Sequence, residues 1–122
     1  MIINLTQHNA TADQIAAGVV EPDAASKALI QKLLTFNDLP SAWVIEHRAS
    51  ALADLVDRMS GGATRVMIGG APYLMGALER ELKERGHRPV YAFSQRESVD
   101  QIQDDGTTRK VAIFRHLGFV EV

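Results

Sequence analysis

The stretch Val66–Val90 constrains the fold more than any other part of this chain. Val66-Met67-Ile68 is short and apolar on both sides, the pattern of a strand buried on both faces of a sheet. Gly69-Gly70-Ala71-Pro72 then turns directly into a helical run, with Pro72 suited to its first turn. Leu74, Met75, Leu78 and Leu82 line one side of that helix, and Glu79, Arg80, Glu81, Lys83, Glu84 and Arg85 face water. Gly86 stops it, and Val90-Tyr91-Ala92-Phe93 reads as the next strand. Strand, short turn, helix and strand in that order pack as a right-handed crossover between parallel neighbours.

The flanking sequence supplies the rest of a sheet. Ile2–Thr6 is apolar and partly β-branched, as expected of a short buried strand. Thr11-Ala12-Asp13-Gln14 has the capping-box form and opens a short helix that Gly18 stops, with Val19-Val20 as a second strand ended by Pro22. Asp23 caps a helix to Leu34, and Asn37-Asp38-Leu39-Pro40 breaks the chain. Ser41 caps a longer helix to Met59, with Ile45, Ala49, Leu52, Val56 and Met59 as its apolar stripe. After Phe93, Ser98–Gln103 and Thr107–Phe114 flank Asp104-Asp105-Gly106, a hairpin turn signal, and Phe119–Val122 adds a last strand. The expected class is α/β. It is a single Rossmann-like domain over residues 1–122, with a mostly parallel central sheet, helices on its faces and a C-terminal β-hairpin.

Composition narrows the function. A chain of 122 residues with 46% apolar content can bury one core. Apolar runs are too short to span a bilayer, and Met1 leads straight into a strand without a signal-peptide pattern. A cytoplasmic protein without a membrane partner is therefore expected. The net charge of −2, with acids and bases mixed, argues against duplex nucleic acid as a partner. No cysteine is present, the four histidines lack metal-site spacing, and neither GxGxxG nor GxxxxGK[ST] occurs, so neither a metal nor a cofactor is expected.

Open parallel sheets bind ligands beyond the carboxyl ends of their strands. The Gly69-Gly70-Ala71 turn sits at such an end, where free amides and a helix N-terminus suit a phosphate. Two glycines serve equally well for a tight turn with no ligand at all. With the strands at Ile2, Val66 and Val90 as parallel neighbours, Thr6-Gln7-His8-Asn9 and Ser94-Gln95-Arg96-Glu97-Ser98 converge on this turn. The expected ligand-binding residues are Thr6, Gln7, Gly69, Gly70, Ala71, Ser94 and Gln95, with His8 and Arg96 as the groups capable of chemistry. Thr11 and Gln14 read as a helix cap and Arg115-His116 as a solvated edge, while His47 and His87 are set aside.

The opening Ile2–Gln14 resembles the start of small CRISPR-associated Rossmann-fold (CARF-like) proteins, ring nucleases among them. Those begin with a hydrophobic strand, then a histidine, a threonine three residues later and a glutamine six later, a spacing that His8, Thr11 and Gln14 match. The order of elements is similar over most of the chain, while the motif is confined to this opening. The chain departs from the pattern in having Gln7 where serine is usual, and in placing two long helices before the central unit. The resemblance implies binding of a cyclic oligonucleotide signal across a homodimer, in antiviral defence or in a phage, with the ring either sequestered or cleaved without metal. Cleavage would proceed by attack of a ribose 2′-hydroxyl on the adjacent phosphate. The turn amides and Arg96 would stabilise charge, with His8 as acid or base. Two other classes compete. One is a protein-interaction module using the exposed edge Ser98–Phe114. The other is a nucleoside or sugar-phosphate transferase on the same kind of fold.

Overall fold

The computed structural model describes residues 1–122 as five strands and four helices. In chain order they are β1 (Ile2–Asn4), α1 (Ala12–Ala16), β2 (Val19–Val20), α2 (Ala24–Leu34), α3 (Ala42–Ser60), β3 (Arg65–Met67), α4 (Pro72–Glu84), β4 (Arg88–Ile102) and β5 (Thr108–Glu121). The class is α/β, with one sheet ordered β2-β1-β3-β4-β5. The first four strands run parallel and β5 runs antiparallel to β4. Ile3 lies between Val20 and Val66, and Met67 lies opposite Val90, so the carboxyl ends of β1 and β3 lie side by side, next to β4 at Val90.

The helix starts follow local chemistry. Thr11 and Gln14 form the reciprocal capping box, and the side chains of Asp23 and Ser41 accept from the amides of Ser26 and Val44. Period-two alternation divides the strand side chains between two faces. Ile3, Leu5, Val66 and Ile68 pack with Ile30, Leu34, Leu52, Val56, Leu74 and Leu78 from α2, α3 and α4. Ile2, Val19, Met67 and Val90 form a smaller cluster on the opposite face, against Ala10 and Phe119. The three long helices therefore share one face, where the sequence had suggested helices on both. The remaining helix, α1, has five residues and buries none of them.

At the amino end of the sheet, His87 is buried, and its Nδ1 accepts from the Thr64 amide at 3.2 Å. That bond leaves Nε2 to carry the proton, 2.6 Å from the Asp57 carboxylate. Asp57 is held below the usual carboxylate range, first by this histidine bond, then by Arg85, which outweigh partial burial. With both ring nitrogens occupied, His87 is a structural tie between α3 and β4, at the opposite end of the sheet from the glycine turn.

The largest departure from the sequence expectation concerns β4. It was expected to stop at Phe93, yet it continues to Ile102 because β5 pairs with it from Val90–Glu121 to Ile102–Thr108, across a bulge at Phe93/Ser94. The ribbon beyond the sheet turns at Gly106 (φ 83°), where Asp105 accepts from the Thr107 amide at 2.9 Å. At roughly 3.3 Å per residue, it projects about 30 Å past the carboxyl ends of the parallel strands. No helix is long and apolar enough to cross a membrane.

Candidate functional site

Where β1 and β3 end beside Tyr91 and Ala92 of the continuing β4, the structure has an open cleft of about 400 Å³. Its floor is Met67, Ile68, Tyr91 and Ala92 from β3, β4 and the residue after β3. One wall is the loop after β1, with Thr6, Gln7, His8 and Asn9, followed by Thr11 and Gln14 at the start of α1. The other wall is Gly69 and Gly70, leading into α4.

The β1 wall is held by a residue inside the sheet. Asn4 is buried and uses all its hydrogen-bonding capacity. Its Nδ2 donates to the His8 carbonyl at 2.8 Å and to Glu21 at 2.7 Å. Its Oδ1 accepts from the Thr6 amide at 3.0 Å and the Thr6 hydroxyl at 2.7 Å. Glu21 also accepts from the Ala10 amide at 2.6 Å and pairs with Lys27 at 2.6 Å. Burial works against the Glu21 charge, but Lys27, Asn4 and the Ala10 amide outweigh it and hold the carboxyl below its usual range. Lys27 in turn donates to Asn9 at 2.6 Å. The loop backbone is thus fixed while the His8 ring, which is exposed, makes no hydrogen bond within the chain.

The glycine wall offers donors. The amides of Gly69, Gly70, Ala71 and Tyr73 donate to no group in the protein, and α4 has no side-chain cap. Gly70 is fixed by the fold through its φ of 154°, while a Cβ there would make only ordinary contacts with Met75 at 3.4 Å and Leu34 at 3.6 Å. Gly69 has no positive φ, and a Cβ there would meet only the Thr6 methyl, at the ordinary contact distance of 3.6 Å. On the floor, Tyr91 donates to Glu79 at 2.7 Å. Burial, reinforced by that bond, pushes its phenol far above the usual range, so Tyr91 stays protonated and cannot serve as a base.

Of the residues expected from sequence, Thr6, Gln7, His8, Gly69 and Gly70 line this cleft, and Ala71 follows as the α4 N-cap. Ser94, Gln95 and Arg96 do not line it. They were expected in a loop at the end of a strand, but they lie within β4, and Arg96 is four residues beyond Ala92, or about 13 Å along the ribbon. There Arg96 is exposed opposite Phe114. No three acidic, histidine or cysteine side chains gather closely enough to hold a metal ion.

The family model described as "Uncharacterized protein MJ1673 family" matches residues 1–120. The chain belongs to the MJ1673 family. No curated protein and no solved structure matches it.

In this MJ1673-family chain, sequence reasoning missed Asn4, Tyr91 and the second use of Thr11 and Gln14, and it placed Asn9 in the converging loop without counting it as a ligand contact. The cap is formed, but both of its side chains also border the cleft, and the capping bonds use their oxygens as acceptors and leave the donors, the Thr11 hydroxyl and the Gln14 Nε2, unused. A signal for Asn4 was present: it is the lone polar residue in Ile2-Ile3-Asn4-Leu5, and a polar side chain inside a strand buried on both faces needs partners. Nothing in the sequence linked it to Glu21, seventeen residues away.

Proposed function

We propose that the cleft binds a nucleotide ligand, a cyclic oligonucleotide signal, in a Rossmann-like domain working in the cytoplasm. Gly69 carries this reading. The fold explains Gly70 through its backbone angle, but neither backbone angle nor packing requires glycine at position 69. What glycine does at position 69 is keep a row of unpaired amides open to the cleft, as close approach of a phosphate demands. The spacing of His8, Thr11 and Gln14, which resembles CARF-like proteins, adds support because all three line the same cleft. The cleft is open rather than filled by side chains, which favours a ligand over a purely structural turn.

Sequestration fits better than turnover. No lysine or arginine lines the cleft, the His8 ring lacks a partner to orient it, and Tyr91 is committed to Glu79. Ring cleavage with His8 as acid or base, and without Arg96, which lies outside the cleft, is the enzymatic form of the same reading, and formation of linear products in a ligand assay would establish it. Binding itself is tested by thermal shift against cyclic di-, tri- and tetranucleotides. At a hundredfold over its dissociation constant, the right ring should add about 2.7 kcal/mol, on the order of 10 °C for a domain of this size. No shift with any ring would remove the nucleotide reading.

A second reading rests on the ribbon. Ile102 and Phe114 are 79% and 74% exposed, and Phe93 and Leu117 are more than half exposed, on an arm with a free edge. We propose that the ribbon joins two copies of the chain. Sedimentation should give the mass of two chains, and Phe114→Asp should return one. A single-chain mass for the unaltered protein would contradict the dimer.

A further inference from the structure

A second cavity, about 470 Å³, opens at the same end of the molecule, between the α2–α3 connection and the start of α4. Its lining includes Phe36, Asn37, Asp38, Pro40 and Tyr73. Its lining comes close to that of the cleft in two places. Tyr73 follows Gly70 by three residues, so their Cα atoms are at most about 11 Å apart. Phe36 follows Thr35, whose hydroxyl accepts from the cleft residue Gln7 at 3.2 Å.

The chemistry of the two cavities differs. Phe36 and Tyr73 meet edge to face with centroids 5.2 Å apart. The Arg48 guanidinium lies 4.2 Å from the Phe36 ring centre and donates to the Thr35 and Leu33 carbonyls, which fixes Phe36 and its loop. Tyr73 remains 54% exposed, leaving ring surface for a flat partner. Asn37 and Asp38 make no side-chain hydrogen bond in the chain. The Asp38 carboxylate disfavours a phosphate here and can accept from an amino group. Aromatic surface beside an acceptor suits a nucleobase, which stacks by its face and is read along its edge.

We propose that this cavity holds a base of the cleft's ligand, one carrying an exocyclic amino group, while a phosphate of the same ligand lies at Gly69–Ala71. Tyr73 stacks on the base and Asp38 accepts from its amino group. The inference rests on the nucleotide reading of the cleft and adds base preference to it. The neighbouring Leu39 and Trp43, 98% and 70% exposed, would extend the same surface for a protein partner. Proximity to the cleft and the free carboxylate favour the base.

The test is calorimetric titration of the full chain with cyclic di-, tri- and tetra-adenylate and the corresponding cyclic uridylates, since uracil lacks the amino group. The unaltered protein should bind one adenylate ring at least about tenfold more tightly than its uridylate counterpart. Asp38→Ala should erase that preference, and Tyr73→Ala should weaken both rings about tenfold, in keeping with the loss of one stacked base. Gly69→Ala should weaken both rings while keeping the preference. If Tyr73→Ala and Asp38→Ala bind like the unaltered protein while Gly69→Ala does not, the subsite is wrong and the cleft stands, and the Leu39–Trp43 surface becomes a protein contact. If the unaltered protein binds no ring, cleft and subsite fall together. Both substituted side chains are exposed or half-exposed, so an unchanged melting temperature confirms that the variants are folded.

Discussion

Gly69→Ala protein is expected to melt within about 2 °C of the unaltered chain, because a surface change outside packing and strain costs within roughly 0.5 kcal/mol. The added methyl would meet only the Thr6 side chain, at 3.6 Å, and no positive φ is forced on it. The same variant is expected to bind a cyclic oligonucleotide at least about tenfold more weakly, a loss of about 1.4 kcal/mol. The reason is local: the methyl would be added to the cleft wall next to Thr6, beside amides that have no partner in the protein and that the ligand is proposed to use. Gly70→Ala makes the contrasting control. Its φ of 154° is one that a side chain rarely adopts, so a methyl there strains the backbone and stability falls as well. Calorimetric titration beside thermal melting separates the two. Full binding by Gly69→Ala would leave the glycine pair as turn chemistry alone.

Asn4→Ala is expected to cost about 3 kcal/mol, on the order of 10 °C in melting temperature. The truncation takes a donor from the His8 carbonyl and from Glu21, and an acceptor from the Thr6 amide and hydroxyl. Each buried group left unpaired costs roughly 1–3 kcal/mol, so the summed effect exceeds that of an ordinary surface change. Asn4→Asp should be no better, since it would set a second carboxylate 2.7 Å from Glu21. Acid unfolding gives an independent check. The Glu21 carboxyl is depressed below 4.5 in the folded chain, so its stabilisation is present above that value and is lost as pH falls through the lower folded value. Without Asn4 the folded value moves back toward 4.5, and the loss begins at a higher pH. A cost under about 1 kcal/mol, below the price of a single unpaired group, would mean that the loop is not organised by Asn4.

Much of this arrangement could be read before any coordinates, because it rests on local rules. The unit from Val66 to Val90 required parallel neighbours, and Thr11, Asp23 and Ser41 marked helix starts that the structure bears out. The same rules brought Thr6, Gln7, His8, Gly69 and Gly70 to one cleft. What escaped depends on distant partners. Ser94-Gln95-Arg96-Glu97-Ser98 carries no apolar alternation, because the ribbon is solvated and its strand state is set by pairing with β5. For that reason Arg96 was expected at the cleft but lies about 13 Å along the arm. The helices were expected on both faces because each has one apolar stripe, and a stripe does not say which face of the sheet it meets.

The account turns on whether the cleft beside Gly69 takes a nucleotide. The most direct measurement is the thermal-shift screen with cyclic di-, tri- and tetranucleotides, run on the unaltered chain and on Gly69→Ala side by side. The account predicts that one ring raises the melting temperature of the unaltered chain, and raises that of Gly69→Ala by no more than about half as much at the same ligand concentration. No shift with any ring, or an equal shift in both proteins, would contradict it.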